Sequence, residues 1–262
     1  SAQFNTHRVI RHKLFRDGAS FRTEDEVFFE IQNENSHPTD VAEDADGSLL
    51  VVETGGWFIK GCPLSQVSKP ELKGSIYRIR KKDIEKIQDP YGNTIRWKTL
   101  MPGDASKYLA DWRPFVCDRA QQLLADMGAT AIPALKAVLS DSSNASTQTK
   151  AIFTLYRIGT PESIEQIRML GLNNRHEQVR IAAARSLGLF PDHKAVFKLA
   201  ELILNDTSLA VIRQCATALG QIGDRQAVTS LMASAEKNED RFVRHAIIYA
   251  LVLINEPDQV IK

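Results

Sequence analysis

The stretch Val179-Arg-Ile-Ala-Ala-Ala-Arg-Ser-Leu-Gly188 decides the fold, because its pattern returns along the chain at a fixed interval. Steps of 32 residues from Leu187 reach Leu123, Leu155, Leu219 and Leu251 without a slip. Three residues before each leucine stand Ala120, Ile152, Ala184, Ala216 and Ile248; eight before stand Phe115, Thr147, Val179, Val211 and Val243. These spacings place the residues on one side of a helix, with small side chains where a neighbouring helix must come close. A second apolar set keeps the period: Ile132, Ile164, Val196, Val228 and Val260, followed three later by Leu135, Ile167, Leu199 and Leu231. Each unit is therefore a pair of amphipathic helices, and a repeat of this length marks a helical solenoid.

The breaks between helices repeat as well. Ser142, Asn174, Asp206 and Asn238 share one column, and all can accept from free N–H groups at a helix start. Within the units, Gly159-Thr-Pro-Glu, Pro191-Asp-His and Gly223-Asp-Arg supply a breaker and then an N-cap at Thr160, Asp192 or Asp224, with Pro161 suited to the first helical position. One hairpin cannot bury its own apolar face, so the units must stack, and the terminal ones need cover. The sequence stops at Lys262, inside the second helix of a fifth unit. The expectation is that the natural chain continues, leaving Val243, Ile247, Leu251 and Ile254 partly open or covered by a neighbouring chain.

Composition narrows the class. The apolar fraction of 43% and charged fraction of 25% suit a globular chain, and no apolar run approaches the length of a membrane span. Residues 1–107 hold 16 basic and 16 acidic side chains, and 108–262 hold 17 and 16, so neither part has the basic excess of a nucleic-acid binder. Cys62, Cys117 and Cys215 are far apart and form no CxxC, CxxCH or metal-ligand spacing, which reads them as small buried hydrophobes. Ser1 to Arg8 show no apolar core of a signal peptide.

Before residue 111 the pattern changes to extended runs. Asp17-Gly18 marks a turn between His7–Arg16 and Glu26–Ile31, and Asp44-Ala-Asp-Gly47 marks another between Asp40–Glu43 and Ser48–Thr54. Gly74–Arg80 reads as a further strand, so this part is an antiparallel meander. Asp44, Asp46 and Gly47 invite a calcium reading, but the glutamate and remaining ligands of an EF-hand loop are missing, and a hairpin turn accounts for them. The fold class is thus α+β in two parts: a β-rich segment over 1–83, a linker over 84–110 with irregular structure from Ile84 to about Met101, and an α-solenoid over 111–262 with paired helices from Trp112.

Two resemblances add expectations. Val179–Gly188, Val211–Gly220 and Val243–Leu251 resemble the first helix of short HEAT repeats, including those of phycobilin lyases, although Ile212 replaces the usual arginine. The ordered set His37–Trp57, Cys62-Pro-Leu-Ser-Gln and Lys69–Arg80, with Asp89-Pro-Tyr-Gly-Asn-Thr-Ile-Arg-Trp, resembles the closing β-propeller blade of membrane-bound dehydrogenase-like proteins of planctomycete-type bacteria. That resemblance implies a larger, periplasmic or secreted parent, similar in its propeller to sugar quinoprotein dehydrogenases, with HEAT repeats and a downstream c-type haem domain. A quinone cofactor or haem is then implied for the parent; the lack of CxxCH excludes covalent haem attachment within this sequence, and no catalytic residue transfers.

Candidate ligand-facing residues are His37, Asp40, Glu53, Trp57, Cys62 and Lys69, since loops between propeller strands line the ligand mouth. Each also has a structural reading as turn former, sheet-packing aromatic or backbone acceptor, and a metal site from His37, Asp40 and Cys62 matches no ligand spacing. In the solenoid, Arg180, Arg213 and Arg244 recur near first-helix starts and Asp192 and Asp224 at internal turns, as either a ladder between units or a groove for an acidic partner. Three functions compete: a docking scaffold inside a dehydrogenase-type protein, a non-enzymatic interaction module capped by the β segment, and chromophore or lyase-partner chemistry. No paired-carboxylate, phosphate-loop or nucleophile-elbow motif is present. A protein partner through the solenoid and self-association through its open end are the expected interactions.

Overall fold

The computed structural model describes residues 1–33, 35–55, 72–83, 85–141 and 144–260. The chain divides into two compact units, one of residues 1–15 and 22–93, the other of residues 16–21 and 94–262. In the first unit, strands β1 (Ala2–Gln3), β2 (Arg8–Asp17) and β3 (Ser20–Glu30) form one three-stranded sheet in that order. Gly18 and Ala19 make the two-residue connection between β2 and β3, with Gly18 at a left-handed φ of 55°. Strands β4 (Pro38–Glu43), β5 (Leu49–Glu53) and β6 (Ser75–Ile79) form a second, antiparallel sheet, a meander in the order of the chain. Ion pairs Arg8–Glu30, Arg11–Glu26 and Lys13–Glu26 join β2 to β3 through exposed side chains.

The Asp44–Gly47 segment is a hairpin turn: Gly47 N–H donates to Asp44 O, and Asp44 N–H donates to Ser48 O. Its carboxylates are taken by neighbours. Arg78 donates to Asp44 at 2.6 Å and Arg80 to Asp46 at 2.9 Å. The Ser48 hydroxyl and N–H, with Arg80, hold the Asp46 carboxyl down at about 2. No cluster among the described residues has the make-up to hold a metal ion.

Among its described residues the second unit is an α-solenoid of five helical hairpins. They pair α2 (Pro114–Asp126) with α3 (Ile132–Ser140), α4 (Ala145–Ile158) with α5 (Pro161–Gln166), α6 (Glu177–Leu189) with α7 (Val196–Asn205), α8 (Leu209–Ile222) with α9 (Val228–Lys237), and α10 (Arg241–Ile254) with α11 (Pro257–Val260). The repeated columns form most of the core, but Phe115 and Ile248, at the two ends of their columns, are exposed. Leu155, Leu187 and Leu219 are fully buried, while Leu123 and Leu251, at the two ends of the column, are partly exposed. Successive first helices touch through small residues. A Cβ on Gly188 would lie 2.8 Å from Ala218 Cα, and one on Gly220 would lie 2.6 Å from Ala250 Cα.

The helix starts fall slightly later than the cap column implies. Asn174 and Asp206 accept from His176 N–H and Ser208 N–H, two residues on, and so shape the approach to the helix. Ser142 lies outside the described residues. Among the described first helices of the units, the N-caps that accept from helical N–H groups are Asn144 and Asp240. At the internal turns, Thr160, Asp192 and Asp224 do cap, and Pro161 is the first residue of α5.

Two expectations are corrected. Residues 94–110 are no linker: they contain α1 (Pro102–Lys107), and Trp97, Ala105 and Leu109 are buried in the solenoid core. Arg119 of α2 lies over the Trp97 ring at 4.9 Å, so this segment covers the first hairpin. At the other end, Val243 and Ile247 are fully buried and Ile254 is buried, whereas Leu251 is partly exposed as expected. That face of α10 packs back onto α8 and α9. The exposed face carries Ile248, Tyr249, Val252 and Leu253, with Ile248 and Val252 at 61% and 65% exposure.

Gly220→Val is expected to force α8 and α10 apart and cost about 1–3 kcal/mol, read as a lowered thermal midpoint by circular dichroism. Gly103→Ala, in α1 with open space around the missing Cβ, should leave the midpoint unchanged or raise it slightly. Equal midpoints for Gly220→Val and wild type would show that the small-residue column does not set the helix spacing.

Candidate functional site

Stacking places the starts of α6, α8 and α10 in a row on the second unit, and the polar groups there converge on the turn Arg16–Phe21. Glu177, the first residue of α6, accepts from Ser208 Oγ at 2.6 Å through one carboxylate oxygen and from Arg16 Nη2 at 2.6 Å through the other. Asp240, the N-cap of α10, accepts from Phe242 and Val243 N–H through Oδ1 and from Ala19 N–H at 2.9 Å through Oδ2. Ala19 is fully buried. A Cβ at Gly18 would stand 2.2 Å from Asp240 Oδ2, so any side chain there would push that carboxylate aside, and the left-handed φ favours glycine as well. Arg16 also lies over the Phe21 ring at 4.8 Å, which holds the guanidinium on the turn.

The electrostatics follow from these donors. Ser208 first, and Arg16 after it, hold the Glu177 carboxyl below its ordinary range against the opposing effect of burial. Partial burial raises the Asp240 carboxyl, but N–H donation from Ala19, Val243 and Phe242 and the charge of Arg213 outweigh it and leave it lowered. The row therefore presents two ionised carboxylates at helix starts, where the helix dipole favours negative charge. It can receive a turn with one exposed N–H and one cation.

The ladder residues have different partners from those their spacing suggests. Arg180 makes a two-pronged contact to Asp206 at 2.7 and 2.9 Å and donates to Asn174 O at 2.8 Å, which ties one unit to the next. Asp192 accepts from Arg168 at 2.8 Å, and Asp224 lies 3.3 Å from His193. Arg213 acts on Asp240 through its charge, and Arg244 is exposed on α10. A cavity of about 320 Å³ opens beside the Arg180–Asp206 pair, lined by Asn174, Lys198, Glu201 and Thr207.

In the first unit, Glu53 is buried and accepts from the N–H groups of His37 and Gly55, so it pins the backbone around β5. The His37 ring stacks on Phe4 at 4.2 Å, with Nδ1 3.2 Å from Phe4 O. Asp40 is exposed and accepts from its neighbour's N–H on Val41. Trp57, Cys62 and Lys69 lie outside the described residues. Glu177, Ser208 and Asp240 were missed by motif reading because each looks like an ordinary helix-start residue; the Asp17-Gly18 turn was the visible half of the contact.

Residues 168–252 match HEAT repeats. None of the curated proteins matches the chain by sequence. Solved structures with a similar fold include human deoxyhypusine hydroxylase in complex with glycerol, at 22% identity and TM-score 0.42, over 57% of this chain and 60% of that one. The complex of CpcE and CpcF of phycocyanin lyase from Nostoc sp. PCC7120 aligns at 20% identity and TM-score 0.48, over 57% of this chain and 96% of that one. An engineered protein aligns at 20% identity and TM-score 0.36, over 58% and 47%. The chain thus spans about three fifths of the hydroxylase. None of these comparisons supports the dehydrogenase-type resemblance. The second unit is an α-solenoid of HEAT-like repeats, an architecture that fits a scaffold or interaction module.

Proposed function

We propose that the chain is a protein-interaction scaffold whose row of first-helix starts, Glu177, Ser208 and Asp240, receives a tight turn carrying a basic side chain. The supporting observation is the occupied state of that row: Ala19 N–H on Asp240 and Arg16 on Glu177 within one compact unit. Backbone donation to a carboxylate combined with a charge-assisted pair is a recurrent way to hold a peptide.

In the double variant Arg16→Ala, Gly18→Ala the row is expected to be vacated. A labelled hairpin peptide with the sequence of residues 12–25 should then bind it more tightly than it binds wild type, by fluorescence anisotropy. Adding Asp240→Asn keeps a capping side chain and removes the charge, so affinity should fall about tenfold, the weight of one charge-assisted hydrogen bond. Both carboxyls are lowered in the folded state, so their contribution is present above the ordinary carboxylate range and lost as pH falls through the lowered values. Binding should accordingly weaken below about pH 4. Equal, pH-independent binding by all variants would remove the row from the function.

Self-association belongs to the same proposal, through the apolar face of α10 at Ile248, Tyr249, Val252 and Leu253. Sedimentation velocity should show association rising with concentration in wild type and lost in Val252→Asp; a monomer at every concentration overturns it.

The finer reading places this scaffold in a larger exported protein of dehydrogenase type, and it rests on the sequence resemblance of residues 5–98 alone. On that reading the quinone cofactor or haem belongs to other parts of the parent. Ultraviolet–visible titration of this chain with either should leave the spectra additive; a saturable shift would place a cofactor site here.

A further inference from the structure

We propose that Cys117 and Lys150 form an oxidative modification site, in which a hydroperoxide converts Cys117 to a sulfenic acid and the Lys150 amine captures it as a sulfenamide crosslink between α2 and α4. Cys117 sits on α2, buried with 2% of the residue exposed, and its S–H donates to Asp111 O at 2.7 Å. Lys150, on α4, is part-buried and reaches the same point. Its Nζ lies 3.0 Å from Cys117 Sγ and 3.0 Å from Leu109 O. Nitrogen and sulfur thus stand in contact, each also bonded to a backbone carbonyl of the segment before α2. This is the separation of a near-attack arrangement, about 3–3.5 Å between reacting atoms.

The contact is built by the fold. The turn Tyr108–Ala110, which precedes Asp111, is fixed by the buried Leu109, and α2 and α4 are neighbouring first helices of the stack. Cys215 makes the contrast. It is fully buried on α8, and burial pushes its thiol up, which keeps it in the unreactive form. Cys117 is also buried, but it has an amine against its sulfur.

The chemistry balances in two steps. The Cys117 sulfur attacks one peroxide oxygen and the O–O bond breaks. The departing oxygen leaves as hydroxide from hydrogen peroxide, or alkoxide from an organic hydroperoxide, and takes the S–H proton, giving sulfenic acid and one water or alcohol. The neutral Lys150 amine, having passed its extra proton to solvent, then attacks sulfur. The S–OH bond breaks, and hydroxide leaves with one N–H proton as water, forming the S–N bond. Sulfur is oxidised, the peroxide is reduced, and the protein loses two hydrogen atoms. Two equivalents of an external thiol reverse the change and leave their own disulfide.

The test is peptide mass spectrometry of the full chain after exposure to hydrogen peroxide, digested with trypsin without reductant. The expected product joins the peptide containing Cys117 to one left uncleaved at Lys150, lighter than their sum by two hydrogens. It should disappear with dithiothreitol and be lost in Lys150→Arg, where Cys117 should instead advance to the sulfinic acid. Cys62 and Cys215 are read on their own peptides. Wild type alone decides the matter even if the variant folds poorly: Cys117 left unmodified, or taken to the sulfinic acid with normal cleavage at Lys150, overturns the proposal. Persistence of the crosslink in a folded Lys150→Arg overturns it as well.

Discussion

The close approach of successive first helices is the constraint on which the second unit depends. Gly188 against Ala218 and Gly220 against Ala250 let backbones meet where any side chain would prop them apart. Only at that separation do Leu155, Leu187 and Leu219 lose all contact with water. Burying one such side chain is worth about 1.5–3 kcal/mol, whereas an exposed ion pair is worth about 0–1 kcal/mol. The leucine column therefore outweighs the ion pairs along β2 and β3.

The same stacking makes a row of helix starts, and the row gives ordinary capping residues a second task. Asp240 caps α10 with one oxygen and holds Ala19 with the other. Glu177 shares its oxygens between the neighbouring unit and Arg16. A carboxylate accepts in several directions, so a residue placed for helix stability can also grip a turn. Recognition of this kind needs no catalytic group.

Three departures from the sequence reading have local causes. The 94–110 segment looked like a linker because α1 has only six residues, too few to show a helical period. Its burial comes from Trp97 and Leu109, whose partners are supplied by α2 and its neighbours. On α10 the apolar residues nearly encircle the helix, so the pattern could not say which side faces α8 and α9. The structure buries Val243, Ile247 and Ile254 and leaves Ile248 and Val252 outside. The Asn174–Asp206 column was legible as turn chemistry but sits two residues before the N-cap positions, because its side chains accept from the N–H of the residue that precedes the first turn.

The sequence by itself determined the repeat, its length, the two helices of each unit, the internal caps and the antiparallel β segment. All of these rest on neighbours within a few residues or on a period that recurs without exception. Only the tertiary structure decided which arginine meets which aspartate, that a hairpin turn shares a compact unit with the helix starts, and that Lys150 touches Cys117. Those contacts join residues 26, 221 and 33 positions apart. They depend on how far each unit rotates and advances on the one before, a quantity set by packed side chains together and carried by no single stretch of chain.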